Sequence, residues 1–428
     1  MAVAQNNIIT LEGSVSGGIF EPIKVALPDF IIRSGINYGF MKDLLTVLER
    51  DLENTGLFKK INRNAYLSKV SEFDAPIQFS DWSLINASVL LTAELEKTGP
   101  DEFEIKFRIW DVISQSKLGK GLKFTSKTAN WRRVAHKVAD EIYNRVTGEG
   151  PYFDSKIVFV AESGPKNKRI KRIAVMDQDG ANHRFLTDGS SLVLTPRFSP
   201  TLQEITYLSY HGNVPRVYIF NIDSGRHEIL GDFPGMTFAP RFSPDGKSVI
   251  MSMAKDGNTE IYSMQLSTRK VNRLTNHTAI DTSPSFAPAQ DRVVFNSDRG
   301  GSQQLYVMNA DGSRVRRISH RKGRYATPVW SPRGDLIAFT KFTGGVFYIG
   351  VMYPDGTGER LLSKDFLVEA PTWSPNGRVL MFFRKSRTKA DGTGGKSRLW
   401  SIDLTGYNER EIVTPTNASD PAWSPLIP

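Results

Sequence analysis

Cysteine is absent from the 428 residues of the chain. Disulfide bonds and thiolate chemistry are therefore excluded, and this absence is compatible with either the cytoplasm or the periplasm. Long apolar runs are also missing, because no stretch reaches the roughly 18 apolar residues that a membrane-spanning helix needs. Histidine is scarce, and the six histidines share no spacing typical of metal ligands. The sequence predicts neither a metal site nor a cofactor.

Acidic residues are fewer than basic ones, and the difference lies in one part of the chain. Residues 1–150 contain 19 Lys+Arg and 19 Asp+Glu, so residues 151–428 hold the whole net charge of +10. A basic surface attracts acidic partners or nucleic acid. Here the charges are scattered through turns, without an aromatic motif of the RNA-binding kind. The composition favours an ordinary solvated surface and no nucleic-acid partner.

One short phrase, Pro-x-aromatic-Ser/Ala-Pro, is repeated six times. Its first prolines are Pro196, Pro240, Pro284, Pro328, Pro371 and Pro421. They are 44, 44, 44, 43 and 50 residues apart by subtraction. A period of about 40–45 residues with several short strands is typical of a β-propeller blade. We expect the phrase aromatics to pack between neighbouring blades.

The two ends of the repeat array predict how the propeller closes. Only three residues follow the last phrase, so its blade lacks the other strands. Three β-prone segments precede the first phrase, at 157–161, 172–177 and 183–187. A C-terminal strand therefore completes an N-terminal three-stranded sheet and closes a ring of six blades. Closure hides the sheet edges that would otherwise template aggregation.

The region before the propeller has a mixed α/β pattern, which predicts a separate domain over 21–150 and an all-β domain over 151–428. Hydrophobic periodicity predicts strands and helices in this first domain. The strands are expected at 23–27, 88–92, 103–110 and 121–126, and the helices at 37–53, 82–86 and 130–146. The Gly- and Pro-containing run 147–151 ends the last helix and forms the boundary.

Residues 1–20 are predicted to be a flexible N-terminal segment. A β-prone run at 8–11 is followed by a glycine- and serine-rich linker at 13–18. The small-x-small triplet 2–4 before Gln5 has the form of a signal-peptidase site. It indicates an exported protein that retains only the end of its signal peptide, although a chance match stays open.

Three stretches imitate catalytic or metal-binding motifs without their context. Residues 390–397 fit a loose phosphate loop, but the segment 398–404 predicts a strand where such a loop needs a helix. Ser16 misses the hydrolase nucleophile elbow by one position. The turn 177–180 resembles a calcium loop that lacks its bidentate acid, and it recurs in other blades. The sequence therefore predicts no catalytic residue. A propeller-type hydrolase or lyase with an axial active site, and a cytoplasmic propeller scaffold, stay as alternatives.

Short segments before each phrase are predicted to be loops that surround the axis on one face, where propellers often bind partners. They are residues 194–195, 235–239, 281–283, 325–327, 368–370 and 419–420. Phe233, Met236 and Phe238 are expected to be exposed apolar groups there.

The neutral α/β domain, the six Pro-x-Trp/Phe-Ser-Pro blades and the ending 421–425 together resemble the TolB family. This family comprises periplasmic propeller proteins of the Tol–Pal envelope system in Gram-negative bacteria. The resemblance covers essentially the whole chain. It implies a non-enzymatic, monomeric periplasmic protein that is peripheral to the outer membrane through the lipoprotein Pal. Its implied roles are outer-membrane integrity and envelope constriction in cell division.

The resemblance also implies two binding sites. Pal contacts are expected at Leu194, Thr195, Met236, Thr237, Thr282, Ser283, Tyr325, Thr327, Glu369, Ser419 and Asp420. TolA contacts are expected at Ile8, Ile9, Thr10 and Leu11. Thr282 matches a family contact, whereas some members have histidine at the position of Met236, so that contact must differ here. The glycine-rich linker would let the N-terminal segment either dock back or reach TolA.

Overall fold

A computed structural model describes residues 21–165, 167–212, 214–231, 237–388 and 394–427. The chain divides into two compact units, Met1–Asp154 and Ser155–Pro428. The predicted TolA segment, Phe233 and Met236 lie outside the described residues, as does half of the loop that imitates a phosphate loop. Within the described ranges, no helix is long and apolar enough to span a membrane.

The N-terminal unit contains a seven-stranded mixed sheet and three α-helices. Its strands are β1 (Ile23–Ala26), β2 (Ile31–Ile32), β3 (Phe58–Lys60), β4 (Val89–Gly99), β5 (Glu102–Asp111), β6 (Ser116–Lys117) and β7 (Leu122–Lys127). Its helices are α1 (Tyr38–Asn54), α2 (Phe79–Leu84) and α3 (Trp131–Thr147), with 3-10 turns at Arg63–Ala65 and Thr128–Asn130. The strand order is β3-β1-β4-β5-β6, with β2 paired to β4 and β7 paired to β5. Every predicted helix and strand of this unit is present, but α2 begins three residues earlier than expected, β4 continues to Gly99, and β2, β3 and β6 were not predicted.

Helical periodicity explains α1 and α3. Every buried residue of α1 except Asp51 is apolar, and the Asn37 side chain caps the helix by accepting from the backbone N–H of Phe40 at 2.8 Å. Helix α3 ends at Gly148, whose φ of 73° is left-handed. Asn130 precedes α3 as predicted, but its side chain makes no capping hydrogen bond. The two helices pack against each other within this unit.

The second unit is a ring of six four-stranded antiparallel blades. Blade 1 contains β8 (Lys156–Ser163), β9 (Ile170–Asp177), β10 (Arg184–Phe185) and β31 (Asn417–Trp423). Blade 2 contains β11 (Leu192–Phe198), β12 (Glu204–His211), β13 (Val214–Asn221) and β14 (His227–Gly231), and blade 3 contains β15 (Thr237–Phe242), β16 (Ser248–Lys255), β17 (Asn258–Gln265) and β18 (Val271–Arg273). Blade 4 contains β19 (Asp281–Phe286), β20 (Arg292–Ser297), β21 (Gln304–Asn309) and β22 (Arg316–Arg317). Blade 5 contains β23 (Arg324–Trp330), β24 (Ile337–Thr343), β25 (Val346–Met352) and β26 (Arg360–Asp365), and blade 6 contains β27 (Leu367–Trp373), β28 (Val379–Lys385), β29 (Ser397–Asp403) and β30 (Arg410–Ile412).

Blade 1 closes the ring with strands from both ends of the unit. Strand β31 pairs antiparallel with β8. The Ser424 backbone N–H donates to the Lys156 carbonyl at 2.8 Å, and the Lys156 N–H donates to Ser424 Oγ at 2.8 Å. Ser243 and Ser248 make the same two bonds within the continuous chain of blade 3, at 2.8 and 3.0 Å. The predicted closure is confirmed, and its geometry copies an ordinary blade.

The phrase aromatics pack between blades, as predicted. The indole Nε1 of Trp373 in blade 6 donates to the Val329 carbonyl of blade 5 at 3.0 Å. Phe242 joins an apolar cluster that contains Leu208 of blade 2 and Val249 of blade 3. Burial of such rings at every blade junction supplies much of the apolar free energy that holds the ring together.

The sequence that imitates a calcium loop is a recurrent turn between the third and fourth strands. In blade 4, Gly312 has a φ of 88°, and a Cβ atom there would lie 2.1 Å from the Leu274 carbonyl of blade 3. Gly356 makes the same approach to the Ile318 carbonyl of blade 4, also at 2.1 Å. Glycine is needed because the turn is left-handed and touches the preceding blade.

Candidate functional site at the channel mouth

The first strands of the six blades surround the propeller axis. Each contacts the first strand of the next blade, in the closed order β31, β11, β15, β19, β23 and β27. We call the N-terminal halves of these strands, up to the residue before each phrase proline, the channel mouth. The phrases themselves line the channel further along the axis.

The described residues among those predicted as loops before the phrases are strand residues. Leu194 and Thr195 lie in β11, and Thr282 and Ser283 lie in β19. The expectation of loops was wrong because each first strand continues through its proline by a β-bulge, seen as a register shift in every blade. Proline has no N–H to donate to a ladder, so a bulge is where a strand accommodates it.

The bulges hold a ring of left-handed residues that are not glycine. They are Thr195, Ser283, Thr327, Ala370 and Asp420, with φ between 46° and 56°. Each directly precedes a phrase proline. Such conformations are uncommon for residues with a Cβ atom, and they concentrate at functional sites. Four of the five are predicted Pal contacts.

Exposure divides the predicted Pal contacts into groups. The half-buried ones are Leu194, Thr195, Thr282, Ser283, Thr327, Glu369 and Asp420. Tyr325 and Ser419 are buried. Thr237 lies in β15, but its side chain is outside the described part of the molecule, as is Met236. Among the predicted Pal contacts whose side chains the structure describes, these half-buried residues are therefore the ones that a partner could reach at the mouth.

Tyr325 is fully buried and offers a partner no side-chain surface. Its hydroxyl donates to Glu359 Oε2 at 2.8 Å, and Lys341 Nζ bonds Glu359 Oε1 at 2.7 Å. Burial and the hydrogen bond to Glu359 raise the pKa of Tyr325. Tyr325 is therefore a supporting residue beneath the mouth.

Ser419 is also a supporting residue. Its hydroxyl donates to Glu162 Oε1 at 3.0 Å, and Lys171 Nζ lies 3.2 Å from the same oxygen. The bond joins β31 to the neighbouring strand β8 and stabilises the mouth where the ring closes.

Two carboxyl groups at the mouth have raised pKa values. Burial raises the pKa of Asp420, although the Arg197 and Lys171 charges oppose this effect. Burial also raises the pKa of Glu369, and the nearby Asp420 charge adds to it.

The channel beyond the mouth encloses a cavity of about 580 Å³ lined by the phrases. Arg197 and Arg241 line this cavity at the second phrase position. The residues at that position in the other blades are Ser285, Val329, Thr372 and Ala422. The sequence pattern did not predict these arginines as site residues, although their charge distinguishes them from the residues at the same position of the other phrases.

These features define a six-bladed β-propeller protein that has a separate α/β unit and a ring of inner-strand bulges at the channel mouth. The model of the TolB beta propeller domain matches residues 143–427, and that of the TolB amino-terminal domain matches residues 12–118. The chain belongs to the TolB family.

Full-length relatives agree with this assignment. The chain is 63% identical to the Tol-Pal system protein TolB of Paramagnetospirillum magneticum, over 97% of this chain and 92% of that protein. It is 57% identical to that of Pelagibacter ubique, over 97% and 95%. The crystal structure of TolB from Acinetobacter baumannii is similar with a TM-score of 0.83 and 27% identity, and the match covers 95% of this chain and 97% of that one.

Proposed function

We propose that this chain is a non-enzymatic periplasmic binding protein that links Pal and TolA in the Tol–Pal system. Pal binds the channel mouth, and TolA binds residues 8–11. The protein is a monomer that is peripheral to the outer membrane through Pal. Its role is in outer-membrane integrity and in envelope constriction during cell division. The name of the relatives, Tol-Pal system protein TolB, supports a place in the Tol–Pal system, and the mouth geometry supports the Pal site.

One observation carries the Pal proposal. Four of the eleven residues predicted from family resemblance, Thr195, Ser283, Thr327 and Asp420, are half-buried members of the ring of left-handed bulge residues. The left-handed bulge recurs before the phrase proline in five blades, whereas its residue changes between threonine, serine, alanine and aspartate, so the backbone is constant while the side chains at the mouth vary. Backbone strain of this kind is retained where a surface must present its groups in one fixed arrangement.

Hydrogen bonds hold two of the bulge residues at the mouth in place. The Ser283 backbone N–H donates to Ser252 Oγ of the preceding blade at 3.1 Å. The hydroxyls of Thr327 and Thr340 share a hydrogen bond of 2.8 Å. Binding to such a surface costs little ordering entropy, so a modest contact area suffices for specific affinity.

Titration of the purified chain with the soluble domain of Pal from the same organism tests the Pal site. We expect saturable one-to-one binding that Thr282→Arg weakens at least about tenfold, because a long charged side chain would occupy the half-buried mouth. Ala289→Arg is the matched control, since Ala289 is an exposed turn residue beyond the other end of the same first strand. Equal affinity of both variants, with unchanged unfolding temperatures, would refute the mouth as the Pal site.

Deletion of residues 1–17 tests the TolA site. We expect the shortened chain to lose binding to the soluble part of TolA and to bind Pal as the full chain does. Loss of both interactions would contradict two separate sites. Replacing Ile8 and Leu11 together by Asp checks that the apolar side chains, rather than the length of the segment, account for the loss.

A further inference from the structure

Two arginines inside the propeller channel lack the partners that a buried charge needs. Arg197 is only 8% exposed, whereas Arg241 is half-buried. Arg197 Nη1 donates to the carbonyl of its own neighbour, Pro196, at 2.7 Å. The Nε atoms of Arg197 and Arg241 are buried without a hydrogen-bond partner in the described structure. Asp420 is the acid whose charge acts on Arg197. In the part of the chain that the structure describes, no carboxylate forms an ion pair with either guanidinium.

The arrangement is unfavourable without a counter-ion. Arginine stays protonated in proteins, and an unpaired buried charge carries a large desolvation penalty. The two residues come from adjacent blades, and the Arg197 charge combines with burial to lower the pKa of Arg241. An anion in contact with both would remove the repulsion and satisfy the free N–H groups.

The cavity has room for such an anion. Its volume of about 580 Å³ is many times the roughly 30 Å³ that one water occupies in the liquid. Its walls include the phrase aromatics and prolines, which are apolar. A charge pair within apolar walls interacts more strongly than one in bulk water.

Other blades show that the fold does not need arginine at this position. In blade 4, Ser285 Oγ accepts from the backbone N–H of Trp330 in blade 5 at 3.2 Å. In blade 6, Thr372 Oγ1 accepts from the backbone N–H of Trp423 in the same way at 3.2 Å. A short hydroxyl therefore serves the blade junction, and the two arginines require another reason.

We propose that the propeller channel is an oxyanion-binding site, in which the guanidinium groups of Arg197 and Arg241 hold one phosphate or carboxylate group between them. Guanidinium groups match the oxygen spacing of both kinds of anion and bind them with paired hydrogen bonds. The site is separate from the mouth surface assigned to Pal, so it stands independently of that assignment.

Calorimetric titration of the full chain with sodium phosphate, at ionic strength held constant with sodium chloride, tests the site. We expect one phosphate to bind, and the double variant Arg197→Ser/Arg241→Thr to lose about tenfold affinity or more. This variant installs the hydroxyls that blades 4 and 6 already use, so it is expected to fold. Arg226→Ser removes an exposed arginine, 80% accessible, as the control for net charge. A second titration with sodium acetate distinguishes a phosphate site from a carboxylate site, because the anion that binds more tightly identifies the chemical class of the ligand.

Two results would overturn the proposal. One is the absence of phosphate and acetate binding by the unmodified chain. The other is unchanged affinity in the double variant. If the double variant does not fold, a measurement on the unmodified chain still tests the proposal. Crystals of the unmodified chain soaked in selenate are expected to show an anomalous peak between the two guanidinium groups. The absence of such a peak would refute the site.

Discussion

The two units of the molecule are stabilised in different ways. In the N-terminal unit, one buried carboxylate organises a whole segment: Asp140 Oδ1 accepts from the N–H groups of Tyr152 and Phe153 at 2.7 and 2.9 Å, and Oδ2 accepts from Asp154 at 3.1 Å. The propeller instead repeats the same hydrogen bond, from a backbone N–H to a phrase serine, in several blades. Ser374 Oγ accepts from the Val379 N–H at 2.9 Å, as Ser243 and Ser424 do in their own blades.

This difference predicts how the stability of each unit responds to substitutions. A contact that occurs once cannot be replaced, whereas one of several equivalent contacts can be lost with a local effect. Blade 4 already shows this tolerance, because Ala287 stands where most phrases have serine and its backbone N–H still donates to the Arg292 carbonyl at 2.9 Å. The closing strand is the exception, since nothing else covers β8 on that side.

The largest expected effect is therefore the deletion of residues 417–428. It removes β31 and leaves the edge of β8 unpaired, so the propeller is expected to lose most of its stability, about 5 kcal/mol or more, and to associate. The helical circular dichroism signal, which reports the N-terminal unit among the described residues, should persist. A monomeric deletion variant with an unchanged unfolding temperature would contradict the importance of closure.

Asp140→Ala is expected to destabilise the N-terminal unit by about 4 kcal/mol, because three buried N–H groups lose their acceptor together. Urea unfolding followed by the helical signal measures this loss. The exposed Asp43→Ala on α1 is the control and should change stability by less than about 0.5 kcal/mol. Similarly small changes in stability for Asp140→Ala and Asp43→Ala would show that the N-terminal unit tolerates the loss of a single contact as well as the propeller does.

The same carboxylate is expected to make the N-terminal unit pH-dependent. Burial raises the pKa of Asp140 from 3.8 to about 6, against the three backbone hydrogen bonds that lower it. The pKa of Asp140 is higher in the folded state than in the unfolded one, so protonation of Asp140 stabilises the folded unit. This contribution to the free energy of unfolding is fully present below about pH 4 and is lost as the pH rises through about 6. The change amounts to about 3 kcal/mol at most. Unfolding curves of Asp140→Ala should lack this window, and an identical window in the variant would assign it to another group.

The smallest effects are expected for the phrase serines. Ser374→Ala and Ser424→Ala each remove one buried hydrogen-bond acceptor and should cost about 1 kcal/mol. Their near equality, measured by thermal unfolding of the propeller, would show that blade 1 behaves like a continuous blade although its strands come from opposite ends. A much larger loss at Ser424 would show that closure depends on this one hydroxyl.

Much of the fold was predictable because its signals are local. The phrase spacing identified six blades, the apolar stripes identified α1 and α3, and the short ending after Pro421 identified the closure. The candidate site was predicted less well. Reasoning from turn residues placed 194–195 and 281–283 in loops, since the bulge that keeps them in strands depends on pairing with β12 and β20.

By itself, the sequence determined the number of blades, the closing strand and the order of the two units, because periodic apolar residues and turn residues act within each repeat. The tertiary structure alone decided which mouth residues stay accessible. Tyr325 is buried by Lys341 and Glu359, which lie 16 and 34 residues further along the chain. It also brought Arg197 and Arg241 to one cavity, because residues 44 positions apart become neighbours only when successive blades pack around a common axis.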